Sequence, residues 1–217
     1  IFTIFLIIIT IYPWLIIHYI KGNNIKVYPA NKSVAIILPI KSPIGSVCKL
    51  SLDWIEFHVM GICPFGDTKD EAKSLILMKN LGDWTGYILH KSLNGDIYNH
   101  NFWCHRIKSP NFTQGLYNWN RVFFMVTGSG IAPIIPYIKF PIPNLEIELV
   151  WVERDIDKNY PKIITDLFRN TKGIQFYDTG IKPRLDLEKY VLKRALKFRA
   201  EAVFIVSSPT KAYSISK

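Results

Sequence analysis

The run Val122-Phe123-Phe124-Met125-Val126 carries no polar side chain and leads into Thr127-Gly128-Ser129-Gly130-Ile131-Ala132-Pro133. Two glycines around one small residue, directly after a buried strand, leave backbone amides uncovered where a helix would start. Such a turn suits a pyrophosphate. A Cβ would obstruct its approach, and the start of a helix adds partial positive charge. A plain tight turn is the rival reading of a GxG alone, and the apolar strand before it favours the nucleotide. The pattern closes on Pro133, so it is GxGxxP and not the GxGxxG of a Rossmann fingerprint.

A second candidate is Gly82-Asp83-Trp84-Thr85. Thr85 is placed to cap a helix and to present a hydroxyl and an amide to a phosphate, although an ordinary capped turn has the same composition. Trp151-Val152-Glu153-Arg154 supplies a guanidinium whose planar fork matches phosphate geometry. Glu153 beside it would repel a phosphate unless it points away. The three cysteines, Cys48, Cys63 and Cys104, share no metal-ligand spacing and no disulfide framework, so no metal site is expected.

The elements that would position these residues divide the chain. Val34–Leu38, Val47–Leu52 and Ser74–Met78 read as short strands separated by Pro39, Pro43 and Gly45, which indicates a small antiparallel barrel. After Trp119 the character changes. Val122–Val126, Leu145–Val152, Ile174–Tyr177 and Ala202–Val206 read as strands. A helix is expected after the glycines, another over Tyr160–Phe168, and a third carrying Leu187, Tyr190, Val191 and Ala195 with Asp186 as N-cap. That alternation predicts a parallel α/β sheet.

Ile1 to Ile20 holds no charged side chain apart from the titratable His18, and Lys21, Lys26 and Lys32 follow it. A helix of that length spans about 30 Å, enough to cross a bilayer core, and the lysines would keep the following chain in the cytoplasm. The expected organisation is a transmembrane helix over 1–20, a barrel over 26–118 and an α/β domain over 119–217, the last incomplete at its C-terminus. The net charge of +10 is spread along the chain with no helix-turn-helix or zinc signature, which argues against nucleic-acid binding. The basic residues between Lys182 and Arg199, Lys189, Lys193, Arg194 and Lys197 among them, read as the solvated face of the last helix.

With GxGxxP, the barrel before it and Gly82-Asp83-Trp84-Thr85 in place, the sequence resembles the ferredoxin–NADP reductase superfamily. The resemblance is to its NADPH oxidase and ferric reductase branch, and covers about residues 26 to 213. Asp178-Thr179-Gly180 and Pro183-Arg184-Leu185-Asp186-Leu187 add a similarity to fungal integral membrane proteins with a reductase-like C-terminal region, a pattern shared with some proteins that carry an adenylate-forming domain.

The resemblance implies a flavin-binding barrel followed by a nicotinamide-nucleotide domain, with FAD and NADPH as cofactors. Gly128, Ser129, Gly130 and Pro133 would shape the turn for the nucleotide pyrophosphate. Arg154 would hold the adenosine 2′-phosphate and Tyr160 would stack near the adenine. Gly82, Trp84 and Thr85 would receive the flavin pyrophosphate. His58 and Gly61 would lie against the isoalloxazine, with Val59, Met60 and Gly61 standing where the branch has proline, an aromatic and a hydroxyl residue. Ser207, in place of a cysteine, would adjoin the nicotinamide as the catalytic position. The implied activity is a membrane-tethered oxidoreductase passing electrons from NADPH through FAD to an acceptor that the sequence does not identify. The altered positions Met60, Gly61 and Ser207 support an alternative, a reductase-like domain that senses nucleotide without turnover.

Overall fold

A computed structural model describes residues 17–53, 55–183 and 185–207. Two sheets meet across a shared core. The first is antiparallel and takes in Ile17–Ile20 (β1), Lys26–Pro29 (β2), Ser33–Leu38 (β3), Ser46–Ser51 (β4), His58–Pro64 (β5) and Ser74–Lys79 (β6). Phe102–His105 (β7) and Ser109–Pro110 (β8) complete it. The strands run in the order β1-β7-β4-β5-β6-β3-β2, with β8 paired to β4, and form an open half-barrel.

The strands close on an apolar interior because β3 and β6 are buried on nearly every side chain and pair in continuous register, from Ser33 opposite Lys79 to Leu38 opposite Ser74. Helix α1, Asp83–Leu93, caps one opening with Ile88 and Leu89 turned inward.

The second sheet is parallel: Arg121–Thr127 (β9), Glu146–Glu153 (β10), Ile174–Asp178 (β11) and Ala202–Val206 (β12), in the order β11-β10-β9-β12. Phe123, Phe124, Met125 and Val126 of β9 are fully buried, as a strand covered on both faces requires. One face packs against α2 (Ile135–Lys139), α3 (Ile156–Asn159) and α4 (Lys162–Arg169), the other against α5 (Leu187–Phe198). Asp186 caps α5, its carboxylate accepting from the Lys189 amide. The half-barrel joins this core through Ala35, Cys63, Phe65, Leu75 and Leu77, which share one buried cluster with Val122, Phe124 and Trp151.

Three expectations are corrected here. Residues 17–20 are not helical; they form a strand paired antiparallel with β7, Ile17 opposite His105 and Ile20 opposite Phe102. The expected span over residues 1–16 lies outside the described residues, and among the described ones no helix is long and apolar enough to cross a membrane. The glycine turn continues not as a full helix but as a 3-10 turn, Gly128–Ile134, into the five-residue α2, because Pro133 and Pro136 remove two backbone donors in succession. The helix expected from Tyr160 begins only at Lys162, with Pro161 as its N-cap.

Candidate functional site

The parallel sheet sets where a ligand can sit. The chain moves outward from β9 to β10 and β11, then returns to place β12 on the other side of β9. Connections leaving in opposite directions open a crevice at the carboxyl ends of the strands. The crevice is a cleft of about 750 Å³, with Thr127, Gly128, Ser129 and Gly130 along its floor and Ser207 at the end of β12. Leu185 and Leu187 close one side, and Lys79 and Leu81 of the half-barrel the other.

Its floor needs both glycines. Gly128 has φ +59, which penalises any side chain. At Gly130 a Cβ would come within 2.8 Å of Val206 Cγ1 and 3.0 Å of the Val206 carbonyl, so only glycine lets the turn lie against β12. Trp151, fully buried beneath, donates from Nε1 to the Gly128 carbonyl at 3.1 Å and ties the turn to the core. Thr127 Oγ1 donates to Ser207 Oγ at 3.1 Å, bridging β9 and β12 at the crevice mouth. Pro133 lies in the following turn, away from the cleft lining.

Beside Gly128 stands a charge cluster that sequence reasoning missed. Lys79, at the end of β6, meets Glu153, at the end of β10, at 2.5 Å, and the Tyr160 hydroxyl donates to the same carboxylate oxygen at 3.2 Å. Burial raises the Glu153 pKa, but Lys79, the Arg154 amide and Tyr160 outweigh it and hold the carboxyl below its ordinary value. Glu153 points into the cleft, where its charge is matched by Lys79. The two residues are 74 positions apart, and nothing local in the sequence pairs them.

Two predicted nucleotide contacts are placed differently. Tyr160 is 1% exposed and packs edge-on against Trp151 at 4.7 Å, so its ring cannot stack on an adenine; only its hydroxyl reaches the cleft cluster. Tyr160 is the C-cap of α3, its amide donating to the Ile156 carbonyl. Arg154 lies outside the cleft lining, its side chain 72% exposed and 3.6 Å from Asp155.

On the half-barrel, Thr85 does cap α1. Its Oγ1 accepts from the Leu81 and Gly82 amides at 3.0 and 3.1 Å and donates to the Gly82 carbonyl. That leaves the helix start open to an anion through its backbone amides rather than through the hydroxyl. Trp84, in the first turn, stacks on His58 at 4.1 Å and 26°, and His58 Nε2 lies 3.0 Å from Glu56. Gly61 has nothing within 4 Å of where a Cβ would be, an open place beside β5. The structure therefore brings His58 and Trp84 together and leaves space at Gly61. The residues fit a flavin at the helix start and along β5, and fit a dinucleotide at the glycine turn.

An antiparallel half-barrel followed by a parallel sheet, with a cleft between them at the switch point, defines a ferredoxin–NADP reductase-like fold. Residues 112–217, which include the whole parallel sheet, match the family model described as adenylate-forming reductase 03009, C-terminal domain. Among solved structures, full-length CYP116B46 from Tepidiphilus thermophilus superposes with a TM-score of 0.67 at 13% identity, covering 92% of this chain and 26% of that one. Phthalate dioxygenase reductase, described as a modular structure for electron transfer from pyridine nucleotides to a 2Fe–2S centre, gives 0.66 at 11% identity, covering 92% and 63%. Ferredoxin–NADP+ reductase from Plasmodium falciparum with 2′P-AMP gives 0.58 at 13% identity, covering 88% of both chains. At such identities the likeness is one of fold, and this chain spans about a quarter of the first structure's length. No curated protein matches the chain.

Proposed function

We propose that this chain is the nucleotide- and flavin-binding part of a membrane-tethered oxidoreductase. It takes hydride from NADPH and passes electrons through FAD to an acceptor outside the residues at hand. The observation that carries the reading is a cleft bounded by both halves, glycine turn and Ser207 on one side, Lys79 and Leu81 on the other. Hydride transfer is the chemistry the two cofactors supply; the protein's task is to hold them in line and exclude water.

In this reading Gly128, Ser129 and Gly130 offer amides to the nucleotide pyrophosphate, and Lys79 offsets the charge of Glu153 beside it. Ser207, fixed by Thr127, lies beside the nicotinamide. The α1 start at Gly82 holds the flavin phosphates, and His58 and Gly61 border its ring. Arg154, at the exposed end of β10, meets the 2′-phosphate, for which the Plasmodium structure with 2′P-AMP is the supporting parallel. The uncharged segment Ile1–Ile16 anchors the chain, and the folded part faces the cytoplasm.

One observation favours a second reading. Trp84 stacks directly on His58 and Gly61 offers no hydroxyl, so a module that senses nucleotide without holding flavin is the competing function. Purification with added FAD, followed by anaerobic NADPH, separates the two. Retained flavin that bleaches supports the oxidoreductase; absence of flavin with measurable NADPH binding leaves the sensor.

A further inference from the structure

The outer face of the half-barrel changes character where β1, β7, β4 and β5 lie side by side. In β7 the inward residues Phe102 and Cys104 are fully buried, while Trp103 and His105 alternate with them on the outside. Tyr19 of β1 stands opposite Trp103, their rings 4.7 Å apart, and stays 49% exposed. Lys49 of β4 is exposed and pairs with Val59 of β5, itself 63% exposed. Directly after β7 the chain turns through Arg106-Ile107-Lys108, with Arg106 exposed and Ile107 61% exposed. Two exposed cations, Lys49 and Arg106, and three apolar tips therefore share one rim, while the Lys108 ammonium turns to the buried Cys104 Sγ at 3.4 Å.

At His105 the charges felt are cationic. Burial, then the charges of Lys49 and Lys108, lower the pKa of His105, and no carboxylate offsets them. The acidic residues that follow β4 lie in the loop whose Phe57 ring packs on His105 at 4.7 Å, and each has a partner there. Asp53 accepts from the Ile55 and Glu56 amides, and Glu56 lies against His58. The rim also has a fixed position along the chain. Tyr19 belongs to the strand that directly continues the uncharged run from Ile1.

We propose that this rim docks against the anionic phospholipid headgroups of the membrane that holds the N-terminal segment. Lysine and arginine are drawn to an anionic leaflet, each strengthening contact by roughly fivefold, and tyrosine and tryptophan settle at the headgroup level. Exposed isoleucine and valine between the cations add apolar contact just below it. Docking at β1 and β7 orients the half-barrel on the bilayer and leaves the cleft at the far sheet open to soluble nucleotide. The proposal rests on the membrane-tethered reading given above.

The test uses the full chain, reconstituted into vesicles of phosphatidylcholine alone or with phosphatidylserine, with Ile107→Cys carrying an environment-sensitive fluorophore. The native cysteines are buried, so labelling is selective. The expected result is a blue shift of emission with phosphatidylserine, reversed by high salt and absent with phosphatidylcholine. Lys49→Gln and Arg106→Gln together should lower the docked fraction about twenty-fivefold. The salt reversal decides the matter independently of the variant. A chain that floats with both vesicles while its label stays in water overturns the docking surface and leaves the tether standing. A chain that floats with neither overturns both.

Discussion

The two sides of the cleft are built on different principles. On the parallel-sheet side the candidate site is made of main chain: a turn whose amides are exposed because Gly128 takes a positive φ and Gly130 touches Val206. On the half-barrel side the helix start also offers amides, but the place for a ring depends on side chains, and there Trp84 covers His58 and Gly61 has no hydroxyl. A backbone site tolerates sequence change as long as the glycines stay, whereas a side-chain site loses a contact with each replacement. The nucleotide half of the proposed function is therefore the better supported, and the flavin half is where it is most exposed to test.

The largest effect should follow Gly130→Val. The added carbons would overlap Val206 and its carbonyl, and overpacking of this kind costs about 1–3 kcal/mol even where the neighbours adjust. NADPH affinity should fall by more than a hundredfold, read by calorimetry. Survival of binding would remove the glycine turn from the site and erase the contrast between the two halves.

Lys79→Met probes the contact that joins the halves. It leaves Glu153 charged, largely buried and short of a partner, and about 2 kcal/mol of stability should be lost after allowing for the residual exposure of both groups. The pH dependence has a definite sign. The Glu153 carboxyl is depressed in the folded state below its ordinary 4.5, so its contribution is present above that value and lost as pH falls through the folded pKa. Urea denaturation should show this acid-side loss in the wild type and a shallower one in Lys79→Met. Identical pH profiles would show that the ion pair does not couple the sheets.

Smaller effects sharpen each side in turn. Trp151→Phe keeps most of the buried ring but drops the bond to the Gly128 carbonyl, for about 1 kcal/mol and a several-fold loss of nucleotide affinity. Gly61→Ser should change stability by less than about 0.5 kcal/mol, since a Cβ there meets nothing. It should raise flavin retention by restoring a hydroxyl beside β5. Unchanged retention would indicate that the Trp84–His58 stack, and not the missing hydroxyl, governs the flavin side.

What the sequence made legible follows the same division. Ala202–Val206 is a strand with the boundaries its apolar run predicts, and Asp186 caps its helix, because strand burial and capping are local. The glycine turn was readable for the same reason. The Lys79–Glu153 pair was not, since it joins residues from different sheets. Tyr160 reads as a helix start with a ring near the adenine, but the helix begins at Lys162 and the ring packs on Trp151 in the core. Ile17–Ile20 joined an apolar run that suits a membrane helix, yet a strand needs apolar residues equally, and only pairing with β7 distinguishes the two. Arg154 and Glu153 are adjacent in the chain. Which of them faces the cleft was decided by Lys79, 74 positions before Glu153.

The most direct test of the central claim is a calorimetric titration of NADPH into the purified wild-type chain and into Gly130→Val, with circular dichroism to confirm that the variant is folded. The account predicts single-site binding in the wild type and its loss in the folded variant. Equal binding in both, or none in the wild type, would contradict it.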